Sequence, residues 1–80
     1  MEQYIATFHT HLSALRTSRT LTARGIPARM MPVPRKVSSS CGTCVSYEAA
    51  GPMTECMDED AESIFRAADG GYELLLTLEE

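Results

Sequence analysis

The chain has 80 residues, 44% of them hydrophobic and 22% charged, with a formal net charge of −4 and three cysteines. A domain of this size buries only ~60% of the surface its unfolded chain exposes, so residues 1–80 are expected to form one domain with a thin core, and a homodimer is left open. The longest apolar run is Leu74-Leu75-Leu76 and the N-terminus shows no basic and apolar leader, which argues against a membrane span or a signal peptide and for a cytoplasmic protein.

Residues 3–8 are short, carry β-branched and aromatic side chains and put Tyr4, Ala6 and Phe8 on one side, which predicts a strand. His9-Thr10-His11 then leads into a helix, with Thr10 as N-cap and Ala14, Leu15, Ser18 and Leu21 on one face. Gly25 stands at the C′ position, Ile26 is placed to fold back on Leu21 in a Schellman motif, and Pro27 blocks continuation, so the helix ends near Arg24. Residues 28–33 predict a second strand, which Pro32 and Pro34 confine to an edge or end early.

A connection of roughly nine residues follows, long for a hairpin, where two to five are usual. It runs Pro32-Val33-Pro34-Arg35-Lys36-Val37-Ser38-Ser39-Ser40-Cys41-Gly42 and gathers most of the residues capable of chemistry. Residues 43–49 alternate Val45 and Tyr47 against Cys44, Ser46 and Glu48, a third strand with one covered face. Gly51-Pro52 breaks it. From Met53 the apolar residues Met53, Met57, Ala61, Ile64, Phe65 and Ala68 recur at threes and fours, which predicts a second helix that Gly70-Gly71 ends. Acidic residues at 55, 58, 59, 60 and 62 crowd its first turns, where the helix dipole favours them. Residues 72–78 predict a last strand with Tyr72, Leu74, Leu76 and Leu78 on the buried side.

The expected order is therefore β-α-β-β-α-β, and the expected fold is α+β: a ferredoxin-like sandwich, a four-stranded antiparallel sheet with two helices on one face. In that topology the end of the first strand, the start of the first helix, the end of the second strand and the start of the third share one edge. His9 and His11 would then meet Cys41.

Thiolate is the reactive form of cysteine, and cations, hydrogen-bond donors or a helix N-terminus all favour it. Cys41 is accordingly the candidate reactive thiol, with Arg35 and Lys36 to bias it, Ser38, Ser39, Ser40 and Gly42 to donate to whatever it holds, and His9 as candidate proton donor. Cys41-Gly42-Thr43-Cys44 is a CxxC, which makes Cys44 a candidate resolving thiol. A redox CxxC opens a helix, however, whereas here the second cysteine begins a strand. A zinc site from Cys41, Cys44, Cys56 and a histidine lacks a second ligand pair at diagnostic spacing, so no metal and no cofactor is expected. Six basic residues precede residue 37 against a single acid, Glu2, while ten acids and only Arg66 follow. That asymmetry offers a basic side to an acidic partner or anionic ligand and argues against nucleic acid.

The motif at residues 32–42, together with Thr7-Phe8-His9-Thr10, Ala14-Leu15 and Gly25-Ile26-Pro27 in matching order, resembles a small bacterial domain family of unknown function described as putative selenium/sulfur (Se/S) carrier protein-like. The resemblance covers roughly residues 4–45. It implies a single carrier cysteine at Cys41, which holds a persulfide or perselenide, and protein partners that donate and accept the sulfur or selenium. Such a chain is a carrier more than a stand-alone enzyme. The family has an apolar residue where Cys44 stands, and residues 49–60 depart from its pattern. Two other readings stand beside it: a ferredoxin-like regulatory module that binds small molecules or proteins, and a CxxC thiol redox protein.

Overall fold

Tyr4, Ala6 and Phe8 alternate with Ile5 and Thr7 along β1 (Glu2–Phe8), and all five are buried, so this strand is covered on both faces. It lies at the centre of the sheet. The structure, a computed structural model, describes residues 1–37, 39 and 41–78. After β1 come α1 (His11–Ala23), β2 (Ala28–Pro32), β3 (Thr43–Ala49), a short 3₁₀ turn (Thr54–Cys56), β4 (Ala61–Ala68) and β5 (Gly71–Thr77). The five strands form one antiparallel sheet in the order β2-β3-β1-β4-β5.

The helix forms as its sequence dictates. Thr10 has extended backbone and its side chain accepts from the Ser13 N–H at 3.2 Å, which caps the N-terminus. At the other end Gly25 adopts φ +79, Ile26 N–H donates to Leu21 O at 3.0 Å and Gly25 N–H to Thr22 O at 3.0 Å, the paired bonds of a Schellman motif. Ser13, Ala14, Thr17 and Leu21 face inward, and the helix packs chiefly over β2 and β3.

The expected ferredoxin-like sandwich is wrong. One helix and five strands replace two helices and four strands, because residues 61–68 are a strand. Ile64 faces the helix side beside Ala6 and Phe65 the opposite side beside Ile5, so two adjacent apolar residues serve two buried faces and imitate helical spacing. The ending was misleading as well. Asp69-Gly70 is a two-residue hairpin turn, with Ala68 opposite Gly71 and Gly70 at φ +77, where the sequence reading placed a helix terminus. Residues 50–60 cross the helix side without forming a helix, and Cys56, Met53 and Met57 contribute to the main core there.

β5 also differs from expectation. A bulge opposite Ile64 and Phe65 makes Leu75 an extra residue, so Leu75, Leu76 and Leu78 join the core while Tyr72 and Leu74 are exposed, Leu74 at 54%.

The long β2–β3 connection is a strap over the second face of the sheet. Its base is closed by Val33 N–H donating to Gly42 O at 3.0 Å, and a turn at residues 34–37 by Val37 N–H donating to Pro34 O at 3.0 Å. Val37, only 7% exposed, plugs against Ile5 and Cys44, with Met31, Val33 and Phe65 around them. Lys36 Nζ donates to Gly70 O at 2.9 Å and ties the strap to the β4–β5 hairpin. β3 is therefore covered on both faces, where its sequence predicts one: Cys44 is buried as fully as Val45.

Candidate functional site

Register brings five chain segments to one end of the sheet. Thr7 lies opposite Cys44 and Ser63, Phe8 opposite Ala61, and Pro32 opposite Thr43, so the ends of β1 and β2 and the starts of α1, β3 and β4 converge. This is the edge that the sequence reading required, reached through a different topology.

Cys41 sits there, half-buried, in the turn that enters β3. Its Sγ donates to Thr43 O at 3.4 Å, and its side chain packs against the helix-side core. Gly42 takes φ +75, a conformation that costs an L-residue about 1–2 kcal/mol. His11 Nδ1 stands 3.4 Å from Thr43 Oγ1, so the first residue of α1 and the cysteine share Thr43 as a neighbour.

Ser39 and His9 meet on one carboxylate. Ser39 Oγ lies 3.1 Å from Glu62 Oε1 and 3.2 Å from Phe8 O, and its single proton serves either. His9 Nδ1 is 3.5 Å from Glu62 Oε2, an ion pair when the ring is protonated, and His9 N–H donates to Asp60 O at 3.2 Å. Asp60 completes the arrangement: its Oδ2 accepts from Thr10 Oγ1 and from Ser13 Oγ, each at 3.0 Å. A carboxylate thus answers the positive end of the helix dipole and fastens α1 to β4. Thr10→Ala removes both the cap and one arm of this link. It is expected to cost about 1–2 kcal/mol, read from urea denaturation; a loss under ~0.3 kcal/mol would refute the account of the cap.

The remaining expected residues are dispersed. Lys36 reaches the β4–β5 hairpin at the far end of the sheet. Gly70 there lies beyond Ala68, and Ala68 is five positions along β4 from Ser63, which shares its row with Cys44, a span of roughly 17 Å along the strand. Its ammonium group therefore does not accompany Cys41. Arg35, beside it in the strap, is exposed. Ser38 and Ser40 lie outside the described residues. Cys44 points to the second face, under Val37, with Sγ 3.8 Å from Pro32 O. Burial, with Cys41 nearby, pushes its thiol up from 9.0 to about 11. Cys56 is buried in the helix-side core. Among the described residues no three histidine, cysteine, aspartate or glutamate side chains converge as a metal site requires. None of their helices is long and apolar enough to cross a membrane.

Asp60, Glu62 and Ser13 were not picked out from the sequence. The acids read as dipole-favoured residues of a second helix; as the start of a strand, Asp60 and Glu62 instead reach the residues flanking β1. Their spacing of two, beside Ala61 and ahead of Ser63, was the available signal.

Fold and site together define a small antiparallel β domain with one helix, in which a single half-buried cysteine stands in a turn next to the helix N-terminus. A family model described as putative Se/S carrier protein-like matches residues 3–66, and the chain belongs to this family. The match extends past the resembling motif into β4, as far as residue 66, and so takes in Asp60 and Glu62. No curated protein and no solved structure matches the chain.

Proposed function

We propose that Cys41 is the atom carrier of this domain: it receives a sulfane sulfur or a selenium atom from a donor protein and relays it to an acceptor. The observation that carries this reading is selective access. Of the three free cysteines, Cys44 and Cys56 are buried and Cys41 alone is half-exposed, which suits a group that must meet another protein's sulfur.

The step needs no outside oxidant. Cys41 thiolate attacks the terminal sulfur of a donor persulfide, R–S–SH; the donor S–S bond breaks, a Cys41 S–S bond forms, and R–S⁻ leaves with the electron pair. Loading from R–S–SeH gives Cys41–S–SeH in the same way. Relay to an acceptor thiolate repeats the exchange and restores the Cys41 thiolate. Ser38, Ser40 and the Gly42 N–H are assigned to solvating the terminal atom, Ser39 to holding Glu62 in place, and His9, oriented through Nδ1 by Glu62, to protonating a departing sulfur. Arg35 remains available to guide a partner, whereas Lys36 is assigned to holding the strap. Cys44 is assigned to packing, since a thiol raised to about 11 and buried is a poor resolving group at neutral pH. The whole chain acts as one cytoplasmic carrier unit, with no turnover of its own.

The test is to incubate the protein with a cysteine desulfurase supplied with cysteine or selenocysteine and to weigh it intact. One added sulfur or selenium on wild type, absent from Cys41→Ala, is expected. No addition to wild type, or equal addition to the variant, ends the proposal.

A further inference from the structure

The outer face of α1 carries a basic stripe that the fold does not use. Leu12, Arg16, Arg19 and Ala23 recur at four, three and four residues, which places them on one side of the helix, opposite buried Ser13, Thr17 and Leu21. All four are exposed, Leu12 at 52%. The helix contains no acidic residue, so neither arginine has a carboxylate three or four positions away. Neither lies in the last turn, where a cation would favour the dipole. The ion pairs among the described residues leave both out: Glu55 goes to Arg24 at 3.6 Å, and the carboxylate of Asp60 to Thr10 and Ser13 at the N-terminus of the helix. Helix stability therefore does not account for Arg16 and Arg19.

Their position does suggest a use. Leu12 follows His11, which shares Thr43 with Cys41, and Arg16 and Arg19 continue the stripe about 6 and 11 Å further along the axis. Building on the carrier reading, we infer that the Leu12-Arg16-Arg19 face of α1 is the docking surface for an acidic protein surface on the donor, which seats against the helix and brings its persulfide to Cys41. A local acidic patch fits better than nucleic acid, because its charge is confined to the two guanidiniums, whereas an extended polyanion would also run against Asp58, Glu59 and Asp60, which lie just before β4 at the same end of the sheet. Leu12 supplies an apolar contact at the thiol end, and the two guanidiniums fix orientation and speed encounter.

Two synthetic persulfide peptides provide the probe, one with four glutamates beside its cysteine and one with four serines. Peptide–S–SH and Cys41 thiolate exchange to peptide–S⁻ and Cys41–S–SH, followed by intact mass. At low salt the acidic peptide is expected to load wild type roughly tenfold faster than the serine peptide. Arg16→Glu/Arg19→Glu should abolish that preference while the serine peptide loads it at the wild-type rate, and 0.5 M salt should erase the preference on wild type, about what a Debye length near 4 Å implies. Equal rates for the two peptides on wild type, or a preference that survives charge reversal, overturns the surface. Failure of both peptides to load Cys41 would count instead against the carrier reading. An independent measurement then still decides the surface: titration with the acidic peptide lacking its persulfide should shift the amide resonances of Leu12, Arg16 and Arg19. Shifts confined to the strap at Arg35, or none, refute it. Self-association that the double variant abolishes would assign the stripe to a second copy and overturn the inference too.

Discussion

Phe8→Ala is expected to cost about 3–5 kcal/mol, the range for removing a large aromatic ring from a packed core. Phe8 is fully buried in the helix-side core, at the end of β1 where the site is assembled, and its carbonyl is one of the two acceptors for Ser39. A small domain has only about 5–15 kcal/mol to lose, so the substitution should remove a substantial fraction of its stability. Urea denaturation followed by circular dichroism reads the cost directly. A change below ~1 kcal/mol would mean that the ring is not packed as described. The variant should also expose Cys44 and Cys56 to alkylation, which in wild type is restricted to the half-buried Cys41.

The second large effect is alkaline. Cys44 holds its proton in the folded chain up to about 11 and releases it near 9.0 once unfolded. Between these values the unfolded state binds fewer protons than the folded one, so stability falls as pH rises. The contribution is complete below pH 9, declines by about 1.4 kcal/mol per pH unit above it, and is gone beyond pH 11. Roughly 2–3 kcal/mol is at stake. Tyr47, buried and raised well above its ordinary 10.0 by the same desolvation, adds a further decline at higher pH. The check is a series of denaturation midpoints from pH 8 to 10.5 on wild type and Cys44→Ala. Identical slopes for the two would show that Cys44 does not carry the effect.

What could be read from the sequence divides along physical lines. Local signals were legible: Thr10 capping α1, Gly25 and Ile26 closing it, and Pro32 holding β2 at an edge all act within a few residues. The family was legible as well, because its motif is contiguous. The second half misled because burial on both faces of a sheet erases the two-residue period that marks a strand. Ile64 and Phe65 sit on opposite faces, and the faces are both covered only because Val37 arrives from a distant loop. Bulges at Thr7/Phe8 and Ile64/Phe65 blurred the alternation further.

The candidate site shows the same split. Cys41 and the convergence of His9 and His11 on its end of the sheet followed from the first half of the chain. Lys36 was expected beside the thiol because it is five residues away in sequence, yet its ammonium group is tied to Gly70 in the β4–β5 hairpin at the other end of the sheet. Glu62 and Asp60 arrive from β4 and could be placed only once residues 61–68 were known to be extended.

The segment that shields Ile5 and Phe65 ends in the sulfur-bearing turn, so two selective pressures fall on one run of residues. A related chain that lost the cysteine would still need Val37 as a stopper and Lys36 as a clasp to keep this fold. Finding residues 32–37 intact in a related sequence is therefore no sign that its chemistry survives; the informative position is the one that holds Cys41 here.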